Sequence, residues 1–309
     1  MAVHVPAGVA AFLPGTAVAA VAAVLFSVGS VLQHEAAENS TSQDGLEMRR
    51  LVGQRRWLVG QSATILGTLS QVAALALAPV AIVQPLLAGG LVVALALRSF
   101  RSRCLPSRLE VLGALCTCGG LAVFLVAAHP TSGAGEHLPP AWAIILSVVV
   151  AVGLVAVCSR IGRGPWGAFA CGAAAGTTAG IAAVLISTAL KAFTDRGFVH
   201  TLAGWALWAA LLAAVTAQWG SQQAYSRGAL SWSLPALVLL DPLAAVPAAR
   251  FLVGQRIEPG HALVWAPAAA VAVLGVVLLS RTGEGCRRPL RLRRQNLPRT
   301  GDPTTSGSR

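Results

Sequence analysis

The chain has 309 residues, of which 55% are hydrophobic and 11% are charged, and its formal net charge is +12 at pH 7. Soluble domains carry about 25% charged residues, so this composition excludes an ordinary soluble protein and predicts a polytopic membrane protein. The basic side chains fall in short loops and in the C-terminal tail, a pattern that argues against nucleic-acid binding.

Nine segments are apolar and long enough to cross a bilayer as helices, at about 20 residues each. They cover residues 9–33, 57–79, 81–98, 109–128, 140–158, 166–190, 203–226, 229–250 and 261–280. Pro79 joins segments two and three almost without a loop, and Gly228 does the same between segments seven and eight. Both pairs are therefore predicted to form tight helical hairpins.

The Lys and Arg residues are distributed unequally between the two sides. With the N-terminus outside, 19 of the 23 fall in inside loops and the tail, and four fall outside. Cytoplasmic loops are enriched in these residues, so we expect an N-out, C-in protein of the plasma membrane with an odd number of spans. Residues 1–282 form the predicted transmembrane domain. Residues 283–309 lack apolar periodicity and are predicted to be a disordered, basic cytoplasmic tail.

The sequence contains a weak internal repeat. A shift of about 150 residues brings Pro85 onto Pro235 and aligns the two hairpins. Segment two runs from inside to outside, whereas segment seven runs the other way. The fold class predicted is therefore an all-α membrane protein of about nine helices, built as an inverted repeat of four and five spans. The halves cover about residues 1–130 and 138–282.

Asp241 lies in the middle of segment eight and is the only acidic residue well inside a long apolar segment. A carboxylate in hydrocarbon costs several kcal/mol unless it is paired or faces a polar cavity, so we expect a site on a transport path. Pro235 and Pro242 free backbone carbonyls nearby, which with the carboxylate could bind a hard cation as a metal site. The alternative is a carboxylate that is protonated or satisfied by neighbouring hydroxyl groups.

Two stripes of polar side chains recur at helical spacing. The stripe in segment two comprises Gln61, Thr64, Thr68 and Gln71, and the stripe in segment seven comprises Gln218, Ser221, Gln222 and Tyr225. Side chains three or four positions apart share a helix face, and the repeat superposes the two stripes. We expect a shared cavity that binds substrate or ion through Asp241, Gln71, Thr68, Gln218, Gln222 and Tyr225. Interhelical hydrogen bonding, at about 0.6 kcal/mol per pair, is the structural alternative for each Ser or Thr.

Three shorter features complete the pattern. Gly172, Gly176 and Gly180 form two overlapping GxxxG motifs, which predict close packing against a helix of the same chain or of a second copy in a homo-oligomer. Glu110 is expected to begin segment four, where the helix dipole favours an acid. His34 and Glu35, at the inner end of segment one, either form a gate or simply end the helix at the interface.

The chain carries no P-loop, GxSxG or HExxH motif, no Cys/His metal spacing, and no acid–base pair at helical spacing inside the membrane. We therefore expect no enzymatic activity and no cofactor. The partners expected are the lipid bilayer and a small-molecule or ion substrate.

Three stretches resemble the drug/metabolite transporter superfamily, nearest to its NIPA-type magnesium transporters and their bacterial relatives. They are residues 25–33, the hairpin at residues 71–86 with the pattern A-P-x-x-x-V-x-P-L, and residues 234–256 followed by a helix that contains Gly275. The resemblance spans nearly the whole membrane part. It implies secondary transport or facilitated ion movement, with magnesium as one candidate.

Three functions remain open on this basis. The first is a secondary transporter of a small solute or cation, and the second is a proton-coupled exporter of a small metabolite. The third is a membrane scaffold or assembly protein that does not transport, in which the tail and the glycine face would carry the function.

Overall fold

The structure is a computed structural model that describes residues 13–42, 45–78, 80–103, 105–128, 139–254 and 262–281. The predicted tail at residues 283–309 and the hairpin residue Pro79 lie outside these ranges. The helices, in chain order, are α1 (Leu13–Asn39), α2 (Met48–Val52), α3 (Arg55–Leu77), α4 (Val80–Ser102), α5 (Arg108–Ala128), α6 (Ala141–Cys158), α7 (Pro165–Arg196), α8 (Phe198–Ala203), α9 (Trp205–Arg227), α10 (Leu230–Val253) and α11 (Ala262–Arg281). Between α1 and α2, β1 (Thr41–Ser42) and β2 (Gly45–Leu46) pair antiparallel.

Among the described residues, nine helices have 18 residues or more, and each overlaps one of the nine predicted segments. Five of them are long and apolar enough to cross a membrane by length and composition: α1, the first part of α5, α6, α7 and α10. The chain is therefore a helical protein whose apolar helices fit a polytopic membrane protein, as the composition predicted.

Local sequence accounts for several helix ends. At the start of α5, the Ser107 hydroxyl accepts a bond from the Glu110 backbone N–H, and the Glu110 carboxylate accepts one from the Ser107 N–H at 2.7 Å. This reciprocal pair is a capping box, and it confirms Glu110 as a residue of the first turn. Pro165 occupies the first turn of α7, and Gly254 ends α10 with a φ of 67°, which glycine adopts without strain.

Glycines allow α1 and α3 to pack closely. A Cβ at Gly60 of α3 would lie only 3.0 Å from Cγ of Gln33 in α1, and Gly15, near the other end of α1, faces Ala78. Residue numbers that rise on one helix and fall on the other show that the two helices are antiparallel. Ser27 of α1 donates to the Gly90 carbonyl at 2.7 Å, which joins α1 to α4.

The glycine face of α7 packs against α10. Backbone atoms of Ser233, Leu237 and Asp241 lie against Gly172, Gly176 and Gly180 in that order. Equal steps in the same direction mean that α7 and α10 are parallel, and the close approach leaves no space for side chains between them. In this structure the face that carries the GxxxG motifs is filled by a helix of the same chain.

Two groups of three helices share one arrangement. In the first group, α1 packs antiparallel to α3 and parallel to α4. In the second group, α7 packs antiparallel to α9 and parallel to α10. The fourth helices, α5 and α11, pack antiparallel to each other through Gly113, Gly120 and Gly275. A buried apolar cluster that includes Val31, Leu91 and Tyr225 joins the two groups.

Candidate functional site

A set of hydrogen-bonded side chains joins α1, α3 and α9. We call it the amide network, and its members are Gln33, Trp57, Gln61, Thr64, Gln218 and Gln222. Gln33 lies at its centre: its Oε1 accepts from Nε2 of Gln218 at 2.9 Å and from Nε2 of Gln222. Its own Nε2 donates to Oγ1 of Thr64 at 2.9 Å. One side chain of α1 is therefore bonded to both neighbouring helices.

Two further bonds extend the network. Gln218 Nε2 also donates to Oε1 of Gln61 at 2.6 Å, and Trp57 Nε1 donates to Oε1 of Gln222 at 3.3 Å. Gln33 and Gln222 are only 3% and 1% exposed, whereas Gln61 and Gln218 are partly exposed. Buried amides inside apolar helices must be paired within the protein, so this set is a specific tertiary arrangement.

The network extends from one end of the bundle towards its middle. Gln61 is about 9 Å along the helix axis from Arg55, where α3 begins, and Gln218 is about 14 Å from Arg227, where α9 ends. We call this the arginine-rich end, because most of the loop arginines follow or precede helices there. The network therefore occupies the half of the bundle at the arginine-rich end.

Charged pairs surround the network at the arginine-rich end. Glu35 of α1 accepts two hydrogen bonds from Arg101 of α4, one of them at 2.7 Å, and it also lies 3.5 Å from Nη1 of Arg56. Arg98 pairs with Glu110, which joins α4 to α5. Glu35 therefore ties three helices together, and it does more than end α1 at the interface.

His34 and Tyr225 lie beside the network but are bonded differently. Their rings meet edge to face with centroids 6.1 Å apart, and Nδ1 of His34 lies 3.2 Å from the Tyr225 backbone oxygen. Tyr225 is 3% exposed and belongs to the apolar cluster between the two helix groups. It supports the position of α9 against α1.

Asp241 is not hydrogen-bonded to the described side chains of the network, and it lies about 16 Å from Leu230, near the middle of α10. Its backbone oxygen lies against Gly180, and the residue is partly exposed. Among the described residues its carboxylate makes no hydrogen bond or ion pair. The fully buried polar atoms without a partner in the described residues are the hydroxyl oxygens of Ser231 and Ser233, and the Asp241 carboxylate is not among them. The carboxylate is therefore unpaired within the described residues.

The structure brings together only part of the predicted site. Gln218 and Gln222 share the network, with Tyr225 adjacent to it. Thr68 is exposed and donates to the Thr64 carbonyl of its own helix at 3.0 Å, so this hydrogen bond joins it neither to the side chains of the network nor to another helix. Gln71 lies on α3 beyond Thr68 and is partly buried.

Sequence reasoning missed Gln33 and Trp57 as members of the site and left Gln61 and Thr64 as part of a stripe only. A signal for Gln33 was present, because Ser27, Ser30 and Gln33 follow one another at steps of three on α1.

In the described part of the chain, no group of three or more His, Cys, Asp or Glu side chains could hold a metal ion. Away from the helix ends, the oxygens available in the described residues are those of amides, hydroxyl groups, backbone carbonyls and the carboxylate of Asp241. Such a set suits a solvated or partly hydrated substrate better than a tightly held metal.

Comparison with known proteins supplies one relative. The chain is 24% identical over 268 residues to an uncharacterized protein of Corynebacterium glutamicum, and the match covers 84% of this chain and 92% of the relative. No family model matches the chain. No solved structure matches it either.

Proposed function

We propose that the chain is a secondary transporter of the drug/metabolite type in the plasma membrane. It moves a small solute or a cation, with magnesium as a candidate, through a polar region between two inverted repeats of four and five spans, oriented N-out and C-in. The observation that carries the proposal is the amide network, because five of its six side chains are polar groups without charge placed inside apolar helices. Intramembrane polar groups of this kind mark substrate pathways.

The arrangement of the helices supports the repeat. The first group, α1 with α3 and α4, and the second group, α7 with α9 and α10, correspond under the 150-residue shift found in the sequence. The network connects the first group to α9 of the second. Substrate sites of inverted-repeat transporters lie between the repeats, which is where these side chains meet.

Asp241 supplies the charge that the network lacks. A carboxylate without a protein partner at the middle of an apolar helix is costly, and a bound cation or proton offsets that cost. We assign it the coupling or cation site, separate from the amide network. Gln71 and Thr68 remain predicted members of the path on the far side of the network.

Flux into liposomes that contain the purified protein tests the proposal. Magnesium entry and proton movement are recorded for the unmodified protein, for Asp241→Asn and for Gln222→Leu, with Ser62→Ala, at an exposed position of α3, as the control. Magnesium entry that is lost in Asp241→Asn and kept in Ser62→Ala supports a cation path.

Proton movement that depends on an added metabolite, without magnesium entry, supports the exporter instead. A protein that moves neither, and whose function in cells disappears on deletion of residues 283–309 but survives Asp241→Asn, is a scaffold, and the transporter proposal is then wrong.

A further inference from the structure

The direction of the hydrogen bonds in the amide network is fixed by Trp57. An indole N–H can only donate, so the atom of Gln222 that receives it must be the oxygen. Gln222 then presents its nitrogen to Gln33, whose oxygen must accept. The same oxygen accepts from Gln218, so Gln218 also presents its nitrogen. No amide in this series can be turned over without breaking a bond.

The series ends at two free groups. Gln218 uses both N–H bonds of its nitrogen, one to Gln33 and one to Gln61, and its oxygen accepts nothing from the described residues. Gln61 accepts with its oxygen, and its nitrogen donates to nothing in the same part of the chain. One free acceptor and one free donor group therefore lie on two amides that are in direct contact at 2.6 Å.

Both free groups are accessible. Gln61 and Gln218 are partly exposed, and neither amide belongs to the fully buried unpaired polar atoms of the described residues. The inner part of the network differs, because Gln33 and Gln222 are buried and bonded. Inside a bilayer, free amide groups need water or a solute as partner, so this end of the network is open to one.

We infer that Gln61 and Gln218 bind a small organic solute that carries an acceptor and a donor side by side, as a carboxamide or a urea group does. The solute oxygen accepts from Gln61 Nε2, and the solute N–H donates to Gln218 Oε1. This inference rests on the proposed transport function and names its substrate class. Paired amide contacts of this type are how Asn and Gln read complementary donor–acceptor edges in other ligands.

The same geometry disfavours other ligand classes at this position. The free nitrogen of Gln61 can only donate hydrogen bonds, which a bare metal ion cannot accept. A carboxylate solute would place one of its oxygens against the free oxygen of Gln218. Both oxygens are acceptors, so the Gln218 oxygen would have no hydrogen-bond donor. Sites built to form a particular hydrogen bond reject analogues that cannot form it.

Binding to the purified full-length protein in detergent tests the inference independently of transport. Thermal stabilisation is titrated with two matched pairs of probes, nicotinamide with nicotinate and glutamine with glutamate, and with magnesium alone. A ligand that binds the native state raises its stability in proportion to concentration over Kd. The expected result is stabilisation by both carboxamides and at least fivefold weaker apparent affinity for the corresponding carboxylates.

Two variants of Gln61 distinguish loss of the hydrogen bond to the ligand from damage to the fold. Gln61→Met removes the free donor and one network bond, and Gln61→Glu keeps the oxygen that accepts from Gln218 while replacing the free nitrogen. Both are expected to weaken carboxamide binding about 2- to 12-fold, the loss of one hydrogen bond. Ser62→Ala, at an exposed position on the same helix, is the control and should bind like the unmodified protein.

The outcomes distinguish this inference from the proposed function. Carboxamide binding that Gln61→Glu weakens supports the inference, even where liposomes show no flux and the transport function fails. Magnesium flux in liposomes, together with equal or absent responses to carboxamides and carboxylates, overturns the inference and leaves transport standing. Carboxamide binding that is unchanged in both Gln61 variants also overturns it.

Discussion

Gln218 donates a 2.9 Å hydrogen bond to the side-chain oxygen of Gln33, although the two residues are 185 positions apart in the sequence. The bond fixes α9 against α1. His34 of α1 and Tyr225 of α9 also contact each other, nearer the arginine-rich end. A polar contact of this kind cannot form until both helices are in place, so the site and the packing of the two helix groups depend on each other.

Substitution of Gln33 by leucine should destabilise the protein. The change removes the acceptor for Gln218 and Gln222 and the donor to Thr64, and it leaves buried polar groups without partners. Each such group costs about 1–3 kcal/mol, so the loss in the free energy of unfolding should exceed that of a surface change. Thermal or denaturant unfolding in detergent measures it. Thr68→Val, whose hydroxyl bonds only within α3, should stay within about 0.5 kcal/mol of the unmodified protein.

Substitution of Gly176 by alanine should separate α7 from α10. A Cβ there would collide with the backbone of Leu237, which cannot move aside as a flexible side chain could. Overpacking of this kind costs about 1–3 kcal/mol. Gly153→Ala in α6 is the matched control, because a Cβ there meets nothing within 4 Å. That change should raise stability slightly, since alanine favours a helix over glycine by up to about 1 kcal/mol. Equal melting temperatures for the two variants would contradict the packing described.

Asp241→Leu should affect transport without lowering stability. The carboxylate has no partner among the described residues, so its removal breaks no hydrogen bond there and takes a polar group out of an apolar helix. We expect an unchanged or higher melting temperature together with lost flux of the coupled ion. A loss of more than about 1 kcal/mol in unfolding free energy would instead show that the carboxylate holds the fold together.

The Glu35–Arg101 pair should contribute modestly to stability. The side chains are 24% and 38% exposed, so solvent screens the attraction despite the two hydrogen bonds. A double-mutant cycle with Glu35→Gln and Arg101→Gln should give a coupling energy of about 0.2–1 kcal/mol. The coupling should shrink as salt is raised from 0.1 M to 1 M, because the screening length falls from about 10 Å to about 3 Å. A coupling that does not change with salt would mean that the pair is shielded from solvent in the membrane-embedded protein.

Local features of the chain were predictable from the sequence. The apolar segments correspond to the long helices, because about 20 apolar residues in a row satisfy their backbone only as a helix in a bilayer. The capping box of Ser107 and Glu110 and the close packing at Gly172, Gly176 and Gly180 follow from spacing along one helix, which a 3.6-residue period fixes. Gln218 and Gln222 were identified for the same reason, as neighbours on one face of α9.

The tertiary structure alone decided which faces meet. A helical stripe gives the direction of its side chains but not the rotation or lateral position of the helix relative to a partner, since those depend on packing between segments far apart in sequence. For that reason the sequence could not show that Gln33 completes the network or that α10 fills the glycine face. It also could not show that Asp241, Thr68 and Gln71 form no hydrogen bond with the described side chains of the network. The helical period was enough to predict the polar stripes from the sequence. Close packing of helices through small residues determined which polar side chains form hydrogen bonds with one another.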